Sequence, residues 1–306
     1  MTVATQLEWP KKTREFNSNF LDSTVWNEFE FRDDDIVIST YAKSGTTWMQ
    51  QIIAQMLFAG NTELEVAEMS PWLDFRLPPR DAQLKMVKEQ THRRFVKTHL
   101  PVDALVFSPK ARYIYIGRDG RDVAWSLFNH HRTLTPGFYE AMKNNPNGMG
   151  PAVEPGTHDV HEFFRVWLER DGFPYWPFWE NVRTWWEIRN LPNILMVHFG
   201  ALKANMPAEM RRIAKFLDIT IDESRWDEIV EHCTFDWMRA NGEKSVPLHG
   251  KMWEDGVKSF INKGTNGRWM DTLTPQECAD YEAKAVAEVG TEGAEWLKTG
   301  KLPALK

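Results

Sequence analysis

The most constraining feature of this chain is residues 36–58. Ile36-Val37-Ile38-Ser39-Thr40-Tyr41 is a short, largely apolar run, the pattern of a buried strand. It passes through Ala42-Lys43-Ser44-Gly45-Thr46-Thr47-Trp48 into residues 46–58. There apolar positions recur at helical spacing, with Trp48, Ile52, Gln55, Met56 and Ala59 along one face. A strand that turns through a glycine into a helix predicts a β–α unit with an anion site at the helix start. Gly45 permits the tight turn, and the free N–H groups of the first helical turn point at the anion. Thr46 and Thr47 add hydroxyl donors, and Lys43 adds a point charge. The Walker A pattern G-x-x-x-x-G-K-[ST] is not met. Its first glycine is missing, and Lys43 precedes the glycine. A Mg²⁺-dependent nucleoside triphosphatase is therefore disfavoured.

The rest of the chain repeats the alternation. Residues 95–99, 112–117 and 194–199 read as strands, and 119–132, 159–171, 177–190, 205–217, 222–232 and 275–289 as helices. Strands alternating with helices predict a parallel sheet flanked by helices, an α/β fold of P-loop-like nucleotide-binding architecture. Ligands bind such sheets beyond the carboxyl ends of the strands, so the loops after Tyr41, Lys97, Gly117 and Phe199 are the candidate positions. Residues 136–157 are rich in Pro, Gly and Asn without periodicity, and they predict a long surface loop or lid at about 133–157. The expectation is one domain over 1–306 with this loop as an excursion.

Two further loops carry chemistry. Lys97-Thr98-His99-Leu100-Pro101 puts a lysine and a histidine at a strand end. His99 could take a proton from an attacking hydroxyl, because imidazole titrates near neutrality. Gly117-Arg118-Asp119-Gly120 ends another strand, and Ser126 follows within the next helix. An arginine fork and a serine hydroxyl can hold a second phosphate. Two separate anion sites suggest a nucleotide phosphorylated at both ends of its ribose.

Together these motifs resemble the cytosolic sulfotransferase family, which uses 3′-phosphoadenosine 5′-phosphosulfate (PAPS). TYAKSGTTW at 40–48 is similar to the family's T-Y-P-K-S-G-T-T-W. Lys97-Thr98-His99-Leu100-Pro101, and Arg118 followed by Ser126, stand in family order. Lys263-Gly264-Thr265-Asn266-Gly267-Arg268-Trp269 is a weaker match to R-K-G-x-x-G-D-W. The resemblance implies sulfuryl transfer from PAPS to an acceptor hydroxyl by in-line displacement, releasing 3′-phosphoadenosine 5′-phosphate (PAP). It implies Lys43 at the bridging oxygen, with Ser44, Gly45, Thr46 and Thr47 around the 5′-phosphate. Trp48, Phe199 and Phe235 would face the adenine. His99 would be the general base, and Lys97 would hold the transferring group. Arg118 and Ser126 would hold the 3′-phosphate, and Lys263 and Gly264 would close over it. Such chemistry needs positioned cations and one base, with no metal expected.

The chain departs from the family pattern at named positions. Ala42 replaces a proline, Asn262 an arginine and Arg268 an aspartate, and Phe199 stands where the family has a tyrosine. Arg268 is expected to supply the charge lost at Asn262. Gly200-Ala201 replaces an acidic pair, and no family dimer motif is recognisable within 270–279.

Composition sets the remaining limits. A net charge of −6 argues against a basic nucleic-acid-binding surface, while leaving room for a local basic pocket. Two cysteines, Cys233 and Cys278, exclude a disulfide framework and a cysteine-pair zinc site, as expected of a cytoplasmic protein. No run of 18 apolar residues occurs, so no membrane span is expected, and MTVATQLEWPKKTREF lacks the apolar stretch of a secretory leader. His130, His131, His158 and His161 lack an acidic partner at ligand spacing and read as solvated or packed. Fifteen tryptophans and eighteen phenylalanines suffice for both a core and a pocket. Trp72, Phe75, Phe128, Phe138 and Tyr139, with Trp125, Trp176 and Phe178, are the candidate acceptor walls. They favour a small hydrophobic acceptor such as a phenol, sterol or alcohol. The rival readings are a nucleotide-dependent phosphotransferase and a non-catalytic nucleotide-binding module.

Overall fold

The structure is a computed structural model describing residues 8–303. Four strands form one parallel sheet: β1 (Ile36–Thr40), β2 (Phe95–Thr98), β3 (Arg112–Gly117) and β4 (Ile194–His198). Their spatial order is β2-β1-β3-β4. Among these strand residues only Arg112 and Leu195 are not fully buried. That is why the strands read as continuous apolar runs and not as alternating ones. Successive side chains enter opposite layers. Val37, Tyr113 and Tyr115 pack with Phe178, Trp185 and Trp296 on one face. Ile36, Ile38, Ile114, Ile116 and Val197 pack with Met49, Ile52, Ile53 and Ile213 on the other.

The strand order fixes where a ligand can sit. After β1 the chain crosses to β2 on one side, and β3 lies on the other. The loops after β1 and β3 therefore part at a topological switch point, and the cleft opens there. Ser39 stands between Thr98 and Tyr115, which brings the ends of three strands level.

The elements differ from their expected form in several places. The first, Thr46–Leu57, is buried nearly all round, so the single apolar face does not exist. Ala59 lies beyond it, at φ 46°. The strand at 194–199 ends at His198, because Phe199 opens the short helix Phe199–Ala204. The last helix runs Pro275–Thr299, not to 289. Thr274 and Glu277 form a capping box at its start, and Gly290 (φ 70°) interrupts it where the helical pattern is lost. The expected loop at 136–157 contains the helix Pro136–Lys143. Thr135 caps it by accepting from the Phe138 N–H, proline occupies the first turn, and Phe138 and Met142 bury one face. Residues 144–159 are irregular but tied down. Arg76 donates to the Asn147 carbonyl at 3.0 Å, and a ring nitrogen of His131 lies 2.8 Å from the Glu154 carbonyl oxygen.

Among the described residues, no helix is long and apolar enough to cross a membrane. The reading of the leader falls in part on residues 1–7, outside the described residues.

Candidate active site

The loop after β1 folds as its residues require. Lys43 (φ 62°) and Gly45 (φ 109°) both take left-handed backbone, and Gly45 is the N-cap of the helix Thr46–Leu57. A Cβ at Gly45 would stand 2.9 Å from the Phe199 ring. Only glycine meets both the backbone and the space, and without a side-chain cap the first-turn N–H groups stay available. Ser44 is buried and its side chain does not line the cleft. Gly45, Thr46, Thr47 and Trp48 do.

Beside this loop lies a cavity of about 260 Å³ into which Lys43, Lys97, His99, Arg118 and Ser126 all face. Lys43, Lys97 and Arg118 have no carboxylate within 4 Å among the described residues, and Lys97 and Arg118 are buried. Burial and the neighbouring Arg118 and Lys97 push the Lys43 ammonium down to about 7. Burial lowers Lys97 to about 8 and Arg118 to about 10. Such a set of buried, unpaired cations is costly without an anion. The donor set therefore fits a multiply charged phosphate ligand.

His99 sits at the end of β2 between rings, stacked on Trp176 (centroids 5.2 Å apart) and edge-on to Trp72 (4.8 Å). Its Nδ1 lies 2.7 Å from the Thr40 carbonyl oxygen. A ring nitrogen so close to a carbonyl must carry the proton, so Nδ1–H donates to Thr40 and Nε2 holds the lone pair. Burial and Lys97 push His99 down to about 3, so the ring is neutral at physiological pH. Asn181 holds this strand end by donating from Nδ2 to the His99 carbonyl at 2.9 Å.

The second anion position is built around Arg118. Its guanidinium donates to the Lys43 carbonyl (2.9 Å) and to Asn266 Oδ1 (2.9 Å), and lies 4.2 Å over the Phe199 ring. Asp122 accepts from the Gly267 N–H at 2.7 Å. These contacts draw residues 262–268 across the cleft, and Lys203 donates to the Gly264 carbonyl. Gly264 (φ 59°) passes so close to Phe235 that a Cβ would meet its ring at 2.6 Å. Asn262, Lys263, Gly264 and Arg268 line this wall. Arg268 Nη1 lies 3.4 Å from Asn262 Oδ1, so the two exchanged positions adjoin. Trp48 stands edge-on to Phe199 at 5.5 Å, its Nε1–H donating to the Cys233 carbonyl at 2.8 Å.

Trp72, Phe75, Phe138 and Trp176 line the cleft as well, and so does Trp125, under Arg268. Three expected walls do not. Phe128 turns into the core against Phe163, because it lies on the opposite side of its helix from Ser126 and His130. Tyr139 donates its hydroxyl to the His131 carbonyl at 2.7 Å, and Phe178 packs on Tyr41 and Trp167. Phe20, Asn129, Trp253 and Phe260 also line the cleft and were not expected there. So does His130, whose Nδ1 lies 3.2 Å from Lys43 Nζ. Its one signal in the sequence is spacing: His130 follows Ser126 by four, on the same helical face. The four histidines do not gather. His161 bonds Glu277, and among the described residues no three His, Cys, Asp or Glu side chains form a metal-holding group.

A parallel α/β sheet with a glycine loop, buried unpaired cations and a neutral, oriented histidine at the switch point defines a group-transfer enzyme acting on an anionic donor. Comparison with known proteins narrows this. The sulfotransferase domain model matches residues 33–288. A glycolipid sulfotransferase of Mycobacterium bovis is 29% identical over 295 residues, covering 87% of this chain and 88% of that one. Mouse sulfotransferase 1B1 is 32% identical over 265 residues, covering 84% and 83%. In fold, the chain is similar to mouse sulfotransferase SULT7A1 complexed with PAP, with a TM-score of 0.69 and 22% identity over 91% of this chain and 93% of that one. The chain belongs to the sulfotransferase family and is an enzyme of the PAPS-dependent class that its motifs resemble.

Proposed function

We propose that the protein transfers a sulfuryl group from PAPS to the hydroxyl of a small, largely hydrophobic acceptor, with His99 as general base. The observation that carries this reading is the meeting of three cations, none with a carboxylate within 4 Å among the described residues, with the free Nε2 of His99 in one cleft. PAPS supplies an activated sulfuryl group on a phosphate leaving group. Lys43, the first-turn N–H groups and the Thr46 and Thr47 hydroxyls would hold its 5′ side. Arg118 and Ser126 would hold the 3′-phosphate, with Arg268 in place of the arginine absent at Asn262. Trp48, Phe199 and Phe235 would border the adenine.

The chain's own groups then perform three tasks. The Thr40 carbonyl fixes the His99 tautomer, so that Nε2 accepts the acceptor's hydroxyl proton. Lys97, 5.3 Å over the Trp72 ring, places positive charge near the His99 ring. This charge disfavours an imidazolium in the free protein, and a bound anion would offset it. Lys43 offers charge where negative charge would develop on the leaving side, in a site that limits water. Trp72, Phe75, Phe138 and Trp176 would enclose the acceptor.

Relatives named for glycolipid sulfotransfer, and a structural neighbour named retinol dehydratase, give the acceptor class a wide range. The test is calorimetric titration with PAP, ADP and AMP, followed by an acceptor screen with labelled PAPS. Selective binding of PAP supports the donor site. Equal binding of ADP would favour the phosphotransferase or binding-module reading.

A further inference from the structure

One half-buried contact in the cleft has no task in the proposed transfer. Among the described residues, the only side-chain hydrogen-bond partner of the Lys43 ammonium is Nδ1 of His130, at 3.2 Å. The ammonium also lies 4.1 Å over the Phe260 ring. His130 itself is packed against Trp253 (centroids 5.1 Å) and Phe260 (6.0 Å). The same helix, Gly120–Arg132, carries Ser126 one turn earlier, so His130 belongs to a rigid element at the cleft.

We propose that His130 is a positioning residue for Lys43. Its neutral imidazole accepts a hydrogen bond from the ammonium and fixes its direction without cancelling its charge. This inference rests on reading the cleft as a PAPS site.

The chemistry of the pair carries the inference. A lysine side chain has four rotatable bonds, and a buried ammonium seeks an acceptor. A carboxylate in that place would form an ion pair and spend the charge needed by the donor's phosphate. A neutral imidazole supplies the acceptor without cancelling the charge of the protonated amine. In its protonated form Lys43 can only donate, so below about pH 7 Nδ1 is the bare nitrogen and the ring proton lies on Nε2. His130 thus holds the tautomer opposite to that of His99, whose Nδ1 is protonated. Two histidines of one cleft are set in opposite tautomers by an ammonium donor in one case and a carbonyl acceptor in the other. The Lys43 seat also includes Trp253 and Phe260, which line the same cleft.

The test has two arms, neither of which needs an identified acceptor. Nitrogen-15 NMR of the imidazole rings in the full chain at pH 6, where Lys43 is protonated, should show His130 as the Nε2–H tautomer. Its Nδ1 signal should move when Lys43→Met removes the donor. PAP titration should then separate the roles of shape and charge. His130→Asn, which keeps a neutral acceptor, should bind PAP within about threefold of wild type. His130→Asp, of the same size but charged, should bind at least about tenfold more weakly. An Nδ1–H tautomer, a signal unmoved by Lys43→Met, or equal PAP affinity in the Asn and Asp variants would each overturn the inference. If wild type fails to bind PAP, the functional reading fails, and the NMR arm still decides the contact.

Discussion

Arg118 Nη1 donates to the backbone carbonyl of Lys43 at 2.9 Å, so the end of β3 holds the loop that follows β1. The bond ties the candidate 3′-phosphate group to the left-handed residue whose side chain would meet the leaving oxygen. Arg118→Ala should therefore weaken both anion positions. A hydrogen bond to a charged group contributes about 1.5–3 kcal/mol, so PAP affinity should fall about 10- to 100-fold by calorimetry. Arg118→Lys should recover only part of this, because a point charge cannot reach Lys43, Asn266 and a phosphate together. Unchanged affinity in Arg118→Ala would remove Arg118 from the site.

His99→Ala should separate binding from chemistry. The His99 ring contacts Thr40, Trp72 and Trp176 but makes no ion pair, so PAP affinity should stay within about threefold. Transfer should fall about 10²–10⁴-fold, the usual range for removing a general base. Because the ring is held down to about 3, its basic form persists as pH falls to 5. The acid limb of kcat/KM should therefore lie well below neutrality. A limb near 6.5 assigned to His99 would contradict its buried environment.

Binding should take up protons above neutrality. Lys43 at about 7 and Lys97 at about 8 lose their cationic form as pH rises through those values. A phosphate ligand is already dianionic there and favours the charged amines. PAP affinity should fall as pH rises from 7 to 9. At pH 8, calorimetry in buffers of different ionisation enthalpy should show net proton uptake. Lys43→Met should abolish most of it. Proton release at pH 8 in wild type would refute the sign.

Arg268 adjoins Asn262 and lies 5.5 Å over the Trp125 ring. If it replaces the family's arginine, Arg268→Ala should weaken PAP about 3- to 30-fold, the range of an exposed to partly buried charge-assisted contact. ADP, which has no 3′-phosphate, should be unaffected. Equal losses for PAP and ADP would place Arg268 elsewhere on the nucleotide.

Much of the donor end was legible along the chain because its determinants are local. A strand, a left-handed glycine and a helix start are contiguous, and each depends on neighbours within a few residues. Lys43, Lys97, His99 and Arg118 each lie at or just beyond a strand's carboxyl end, Ser126 lies in the helix that follows β3, and the parallel sheet brings those ends level. The capped helix at Pro136–Lys143 was hidden by its glycine and proline content, although the Thr135-Pro136 start is itself a local signal.

The α/β alternation, the glycine loop and the residue types gathered at the strand ends are all written along the chain. Tertiary structure alone decided which aromatics face the cleft. Phe128 and Phe138 are indistinguishable as residues, yet one packs on Phe163 and the other lines the cavity. Their helices' rotation is set by packing against distant segments, and no local pattern encodes it. The same holds for His130, whose contact with Lys43 spans 87 positions of sequence and exists because β1 and the helix after β3 are neighbours in space.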